Sequence, residues 1–158
     1  MLVFARAATY AALFIGLLLV FLPGRILSST GVVQPPAIGV WQLAGMLLGA
    51  SGAALALTCI LTFVFVGRGT PAPFDPPRQL VVRGPYRLVR NPMYLGAGLA
   101  LAAAAAFYQS LPLLGYAGSF LLVSHLFVVL YEEPALRRAF EEDYEAYCRR
   151  AGRWCPRW

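Results

Sequence analysis

Three stretches without one charged side chain dominate this chain: Ala7 to Gly24 (18 residues), Ile26 to Gly67 (42) and Asn91 to Tyr131 (41). A helix needs about 20 apolar residues to cross a bilayer core, so each stretch has room for one or two crossings. Charged residues are only 13% of the 158, hydrophobic ones 59%, and mean hydropathy is +0.67. Soluble domains carry roughly 25% charged residues, so a water-soluble globule is excluded. The length suits one domain, 1–158, with no room for a separate catalytic unit.

Net charge is +6, and all 13 basic residues are arginine. Twelve lie in three places: Arg6; the central loop with Arg68, Arg78, Arg83, Arg87 and Arg90; and the tail with Arg137, Arg138, Arg149, Arg150, Arg153 and Arg157. Only Arg25 falls on the opposite side. The positive-inside rule therefore predicts an even number of spans in an inner or plasma membrane, with both termini cytoplasmic. The basic clusters sit beside apolar segments and match no nucleic-acid module, so they read as attraction to headgroups. Cys59, Cys148 and Cys155 have no metal-ligand spacing, so neither a metal site nor a disulfide is expected. The N-terminal apolar run lacks a small-x-small cleavage site before Pro23 and reads as a retained span.

The predicted architecture is an all-α integral-membrane bundle of four transmembrane helices plus a C-terminal amphipathic cytoplasmic helix. Span one covers about 3–22 and stops at Pro23-Gly24. An outer loop, Arg25 to Pro36, leads to span two, about 37–66, in which Gly45, Gly49, Gly52 and Ala53 form a small face suited to close packing. Gly67 to Asn91 is the one long polar segment. Its Leu80, Val81, Val82, Tyr86, Leu88 and Val89 mark it as ordered. Span three, about 92–107, opens at Asn91-Pro92, with Asn suited to the N-cap and Pro to the first turn. A tight reversal at Gln109, Ser110 and Pro112 leads to span four, about 113–131. Pro134 predicts a bend as that span leaves the membrane. The tail helix, about 132–150, carries Leu136, Phe140, Tyr144, Tyr147 and Ala151 at three- and four-residue spacing and is expected along the membrane surface. Glu133 with Arg137, and Arg138 with Glu142, are i,i+4 pairs.

No acidic residue lies within a span, which disfavours a proton-coupled transporter. His125, beside Ser124, either meets a substrate or is a neutral histidine hydrogen-bonded to a neighbouring helix. The informative grouping is at the predicted cytoplasmic boundary. Spans three and four form an antiparallel hairpin, so Asn91 and Glu132 emerge on one face. A helix N-terminus beside two carboxylates and several tyrosines suits a zwitterionic, aromatic ligand such as S-adenosylmethionine. The other reading of these residues is that they anchor helix ends at the interface.

The run Arg83-Gly84-Pro85-Tyr86-Arg87-Leu88-Val89-Arg90-Asn91-Pro92-Met93-Tyr94-Leu95-Gly96 resembles the G-x-Y-x-x-x-R-[HN]-P-x-Y-x-G signature of the isoprenylcysteine carboxyl methyltransferase and phospholipid methyltransferase superfamily. Glu132-Glu133, Leu136, Phe140, Tyr144 and Tyr147 resemble its EExxLxxxFxxxYxxY pattern, also beyond a helical hairpin. The resemblance covers about half the chain, Arg78 to Tyr147. It implies an S-adenosylmethionine-dependent membrane methyltransferase acting on a small or lipid-like acceptor at the cytoplasmic face. It also implies a cofactor pocket lined by Arg78, Gln79, Leu80, Val81, Tyr86, Asn91, Pro92, Met93 and Tyr94 and closed by Glu132 with Glu133.

Three positions depart from the family pattern. Asn91 stands where the prenylcysteine enzymes have His, and no basic residue lies in the turn Phe127-Val128-Val129-Leu130 before the acidic pair. Arg137 or Arg138 is the remaining candidate for a substrate carboxylate, the other reading being solvated arginines. Ala151-Gly152 replaces the usual Val-Pro. Two other classes stay open at this stage: an NADPH-dependent sterol-type membrane reductase and a non-enzymatic membrane helper.

Overall fold

The computed structural model describes residues 9, 12–32, 37–67 and 80–157. The protein is all-helical. Among the described residues there is no strand, only an isolated parallel bridge between Val89 and Gly152. Five helices are named here: α1, Ala12–Ser29; α2, Val40–Thr62; α3, Pro92–Tyr108; α4, Leu111–Phe127; and α5, Glu133–Arg150. α1, α2 and the continuous helix Leu111–Arg150 are each long and apolar enough to cross a membrane, and α3 is a shorter apolar helix of 17 residues. Leu47, Leu111 and Leu130 are 73%, 77% and 72% exposed. Helices that are apolar on every side and keep leucine outward are built for lipid.

Pro23-Gly24 does not stop the first helix, which continues to Ser29. The expected outer loop is correspondingly shorter, and 33–36 lie outside the described residues. The reason is a π-helical stretch, Ile15–Phe21, in which the Leu22 N–H reaches back five residues to the Leu17 carbonyl. Proline has no N–H to give and its ring clashes with the carbonyl four residues earlier. A widened turn just before it removes the conflict. The same device recurs before Pro134: Val128–Glu132 is π-helical and the Glu133 N–H donates to the Val128 carbonyl. The backbone thus runs on from α4 into α5 without interruption.

α3 is the central helix. On one side it meets α2 backbone to backbone: a Cβ on Gly52 would lie 2.8 Å from the Gly96 carbonyl oxygen, and one on Gly96 would lie 2.9 Å from the Gly52 oxygen. Gly45 faces the Ala103 carbonyl equally closely. The small face expected on α2 is therefore its contact with α3, except that Ala53 is exposed and Ala56 takes its place against Gly96. The far ends are pinned by buried Gln42, whose side chain accepts from the Gly39 N–H (3.0 Å) and donates to the Phe107 carbonyl (3.0 Å). Gln109, at φ 48°, and Ser110, whose hydroxyl accepts from the Leu113 N–H, make the tight reversal into α4. On the other side of α3, Ala97, Leu101, Ala117 and Phe120 form a core over which Phe14, Leu18 and Leu19 of α1 pack. Tyr116 secures it by donating to the Leu18 carbonyl at 3.0 Å, inside the π-helical turn.

α5 is not one straight helix. Glu141 has φ 40° and ψ −114°, which breaks it in two. Tyr144, Tyr147 and Ala151 form a core against which Leu80 and Val82 pack from the preceding loop and Leu136 and Phe140 from the same stripe of α5.

Candidate functional site

Leu80, Val81 and Val82 belong to no regular element, and their side chains go alternately to two different cores. Val81 enters a core with Cys59 and Tyr86, while Leu80 and Val82 face Tyr144 and Tyr147. On that second side, Leu80, Val82, Phe140, Asp143, Ala146, Tyr147 and Arg150 line a cleft of ≈ 610 Å³. Gly84, at φ +57° and only 3.1 Å from the Thr62 hydroxyl when a Cβ is added, lets the chain turn tightly against α2. The 3-10 turn Gly84–Arg87 follows and buries Tyr86. The Tyr86 ring stands edge-on to Phe63 at 5.2 Å, and its carbonyl accepts from the Tyr147 hydroxyl at 2.7 Å. Burial above all, with Cys59 and the charge of Glu132 adding, pushes the Tyr86 phenol well above its ordinary value.

Next, the chain enters α3. Asn91 occupies the N-cap position, but its side chain does not cap the helix as expected: it donates to the Arg153 carbonyl at 3.2 Å. The first-turn amides of α3 therefore have no side-chain cap. Pro92 is buried, and Met93 packs on the Cys59, Val81 and Tyr86 core. Tyr94, one position further, donates to Oε2 of Glu132 at 3.2 Å. The two signature segments thus meet across 38 residues. Burial raises the Glu132 carboxyl, the Tyr94 hydrogen bond opposes this, and Glu133 raises it further.

Adjacent Glu132 and Glu133 face different partners. Glu133 is buried and held by arginines: Arg153 grips it with two bonds, Nε to Oε1 at 2.7 Å and Nη2 to Oε2 at 3.0 Å, while Arg90 lies 3.2 Å from Oε1 and Arg137 3.9 Å from Oε2. Burial alone would raise its carboxyl, but the Arg153 hydrogen bond and the charges of Arg90, Arg153 and Arg137 outweigh it and hold the group below its ordinary value. Arg90 also reaches Cys148 Sγ (2.7 Å) and the Tyr144 hydroxyl (3.4 Å), while its buried Nε has no partner among the described residues.

Arg137 and Arg138, the candidates for a substrate carboxylate, are exposed and engaged elsewhere. Arg137 bonds Glu145 at 2.8 Å, and Arg138 donates to the Pro134 carbonyl at 3.2 Å, in place of the expected pairing with Glu142. Arg78 and Gln79 lie outside the described residues. The partner of His125 is not on a neighbouring helix: its Nδ1 accepts from Nε1 of Trp154, in the tail beyond α5, at 3.0 Å. Ala151 and Gly152 are buried, and a Cβ on Gly152 would collide with the Cys155 carbonyl. The sequence reading overlooked Arg90, Arg153 and Trp154. Arg90 lies in the first signature run beside Asn91, but no spacing rule connects Arg153 to Glu133 or Trp154 to His125.

A family model described as phospholipid methyltransferase matches residues 40–143. That segment holds α2, α3, α4, the first signature segment and the second as far as Asp143, in the first part of α5. Searches of curated proteins and of solved structures return no match.

Proposed function

The chain belongs to the phospholipid methyltransferase family, and from that premise we propose that this membrane methyltransferase moves a methyl group from S-adenosylmethionine to a lipid-like acceptor at the cytoplasmic face. In this reading four spans cross the membrane and both termini are cytoplasmic. The observation that carries the proposal is the Tyr94–Glu132 hydrogen bond, because it brings the start of α3 and the end of the α4 segment to one place with Tyr86 beside them.

The residues there suit the proposed donor. An ionised carboxylate accepts only, and with aromatic rings it favours a cation. The α3 amides that Asn91 leaves uncapped favour an anion. A site with these two poles would suit a ligand that carries a carboxylate together with cationic ammonium and sulfonium groups. When bound, S-adenosylmethionine supplies a methyl group on a positively charged sulfur that leaves as a neutral thioether. The work of the protein is to orient the two reactants and keep water out. Glu132 and Tyr94 orient the cationic part, the first turn of α3 orients the anionic part, and Tyr86, Val81 and Met93 supply the apolar wall. Glu133 holds the surrounding structure in place.

The test is transfer itself. Protein reconstituted in vesicles of extracted phospholipid is given methyl-labelled S-adenosylmethionine, and the lipid phase is counted. Label in lipid that disappears in Glu132→Gln supports the reading; label confined to water-soluble products contradicts the lipid-like acceptor.

A further inference from the structure

The candidate site lies between two helix ends that the chain does not join directly, the start of α3 and the π-helical turn Val128–Glu132. A π turn is a local irregularity that neighbours must hold in register. The segment from Gly152 to Trp154 touches both ends. The Gly152 carbonyl accepts from the Arg90 N–H at 2.8 Å and the Arg153 carbonyl from Asn91 Nδ2 at 3.2 Å, which fixes the start of α3. The Arg153 guanidinium holds Glu133 with two bonds, and Trp154 bonds His125, which fixes the other side. Three consecutive residues thus staple the pieces that carry Tyr94 and Glu132.

We infer that this C-terminal strap sets the geometry of the site and that Arg153 is its positioning residue, acting on Glu132 through Glu133. Arg153 touches neither Tyr94 nor Glu132. Its planar fork fixes the Glu133 carboxylate in one orientation, and Glu133 is the residue next to Glu132. Gly152 makes the strap possible, since any side chain there meets the Cys155 carbonyl. Arg90 still pairs with Glu133 when Arg153 is removed. The variant therefore does not strand a buried charge, and it folds.

The inference rests on the proposed function for its binding readout, so two measurements are made on the detergent-purified full chain. In the first, calorimetry with S-adenosylhomocysteine compares wild type, Arg153→Gln, Arg153→Lys and Trp154→Phe. Affinity falls about tenfold in Arg153→Gln, the loss of one charge-assisted contact. Arg153→Lys, which keeps the charge and loses the fork, recovers only part of it, and the thermal midpoint moves little in either. The second is hydrogen exchange without ligand, in which Arg153→Gln and Trp154→Phe both speed exchange at 93–96 and 128–133. Wild-type protein that binds no adenosyl ligand removes the proposed function, and the exchange result then still decides on the strap. Wild-type exchange at those amides in both variants overturns the strap. So does a loss of affinity that only tracks a loss of thermal stability.

Discussion

The Tyr94 hydroxyl donates to Glu132 Oε2 at 3.2 Å, joining the first turn of α3 to the last turn before α5. Removing the hydroxyl leaves a largely desolvated carboxylate without that donor. A hydrogen bond to a charged group contributes about 1.5–3 kcal/mol. Tyr94→Phe is expected to weaken S-adenosylhomocysteine binding at least about tenfold by calorimetry, and Glu132→Gln more, since it removes the charge as well. Wild-type affinity in both variants would show that the pair does not face the ligand.

Gly52 and Gly96 bring α2 and α3 within backbone contact, and a methyl group at either meets the opposing carbonyl below 3.0 Å. Overpacking of this kind costs typically about 1–3 kcal/mol. Gly52→Ala and Gly96→Ala are expected to lower the thermal midpoint in detergent, whereas Gly118→Ala, with no atom within 4 Å of the new Cβ, leaves it unchanged or raises it. Equal midpoints in all three would refute the close contact.

Acid should loosen the tail through Glu133. Its folded carboxyl is held below the ordinary value of 4.5, so its contribution is fully present above that value and is lost as pH falls through the lower folded one. Between pH 6 and 3 the thermal midpoint is expected to drop in wild type and to drop less in Glu133→Gln. The difference between the two isolates this group from Glu132, whose raised carboxyl acts with the opposite sign. Parallel curves would contradict the clamp.

The cysteines report both packing and orientation. Cys59 is fully buried, Cys148 half-buried under Arg90, and Cys155 exposed. A membrane-impermeant maleimide is expected to label Cys155 quickly in inverted vesicles and not in right-side-out ones, with Cys59 unlabelled in either. Labelling of Cys155 from the outside would reverse the proposed topology.

Much of this was legible in the chain because lipid imposes strict composition. Charge-free stretches marked the helices, small residues on α2 marked its contact face, and the two spaced motifs marked Tyr94 and Glu132 as neighbours. The errors came where backbone adaptation overrode local preference. Pro23-Gly24 favours a stop by local preference, yet a π-helical turn absorbs it. Asn91 suits a side-chain cap by residue type, yet a carbonyl 62 residues on claims its amide. The stripe on α5 marks a buried face, but an amphipathic pattern does not say what buries it; Leu80 and Val82 pack against its tyrosines. The different tasks of Glu132 and Glu133 follow from the tertiary partners each meets, which no pattern along the chain encodes.

The most direct test of the central claim is calorimetric titration of the purified wild-type chain with S-adenosylhomocysteine and, separately, with NADPH. The account predicts saturable one-to-one binding of the adenosyl ligand, lost in Glu132→Gln, and no binding of NADPH. Heat with NADPH alone, or with neither compound, would contradict it.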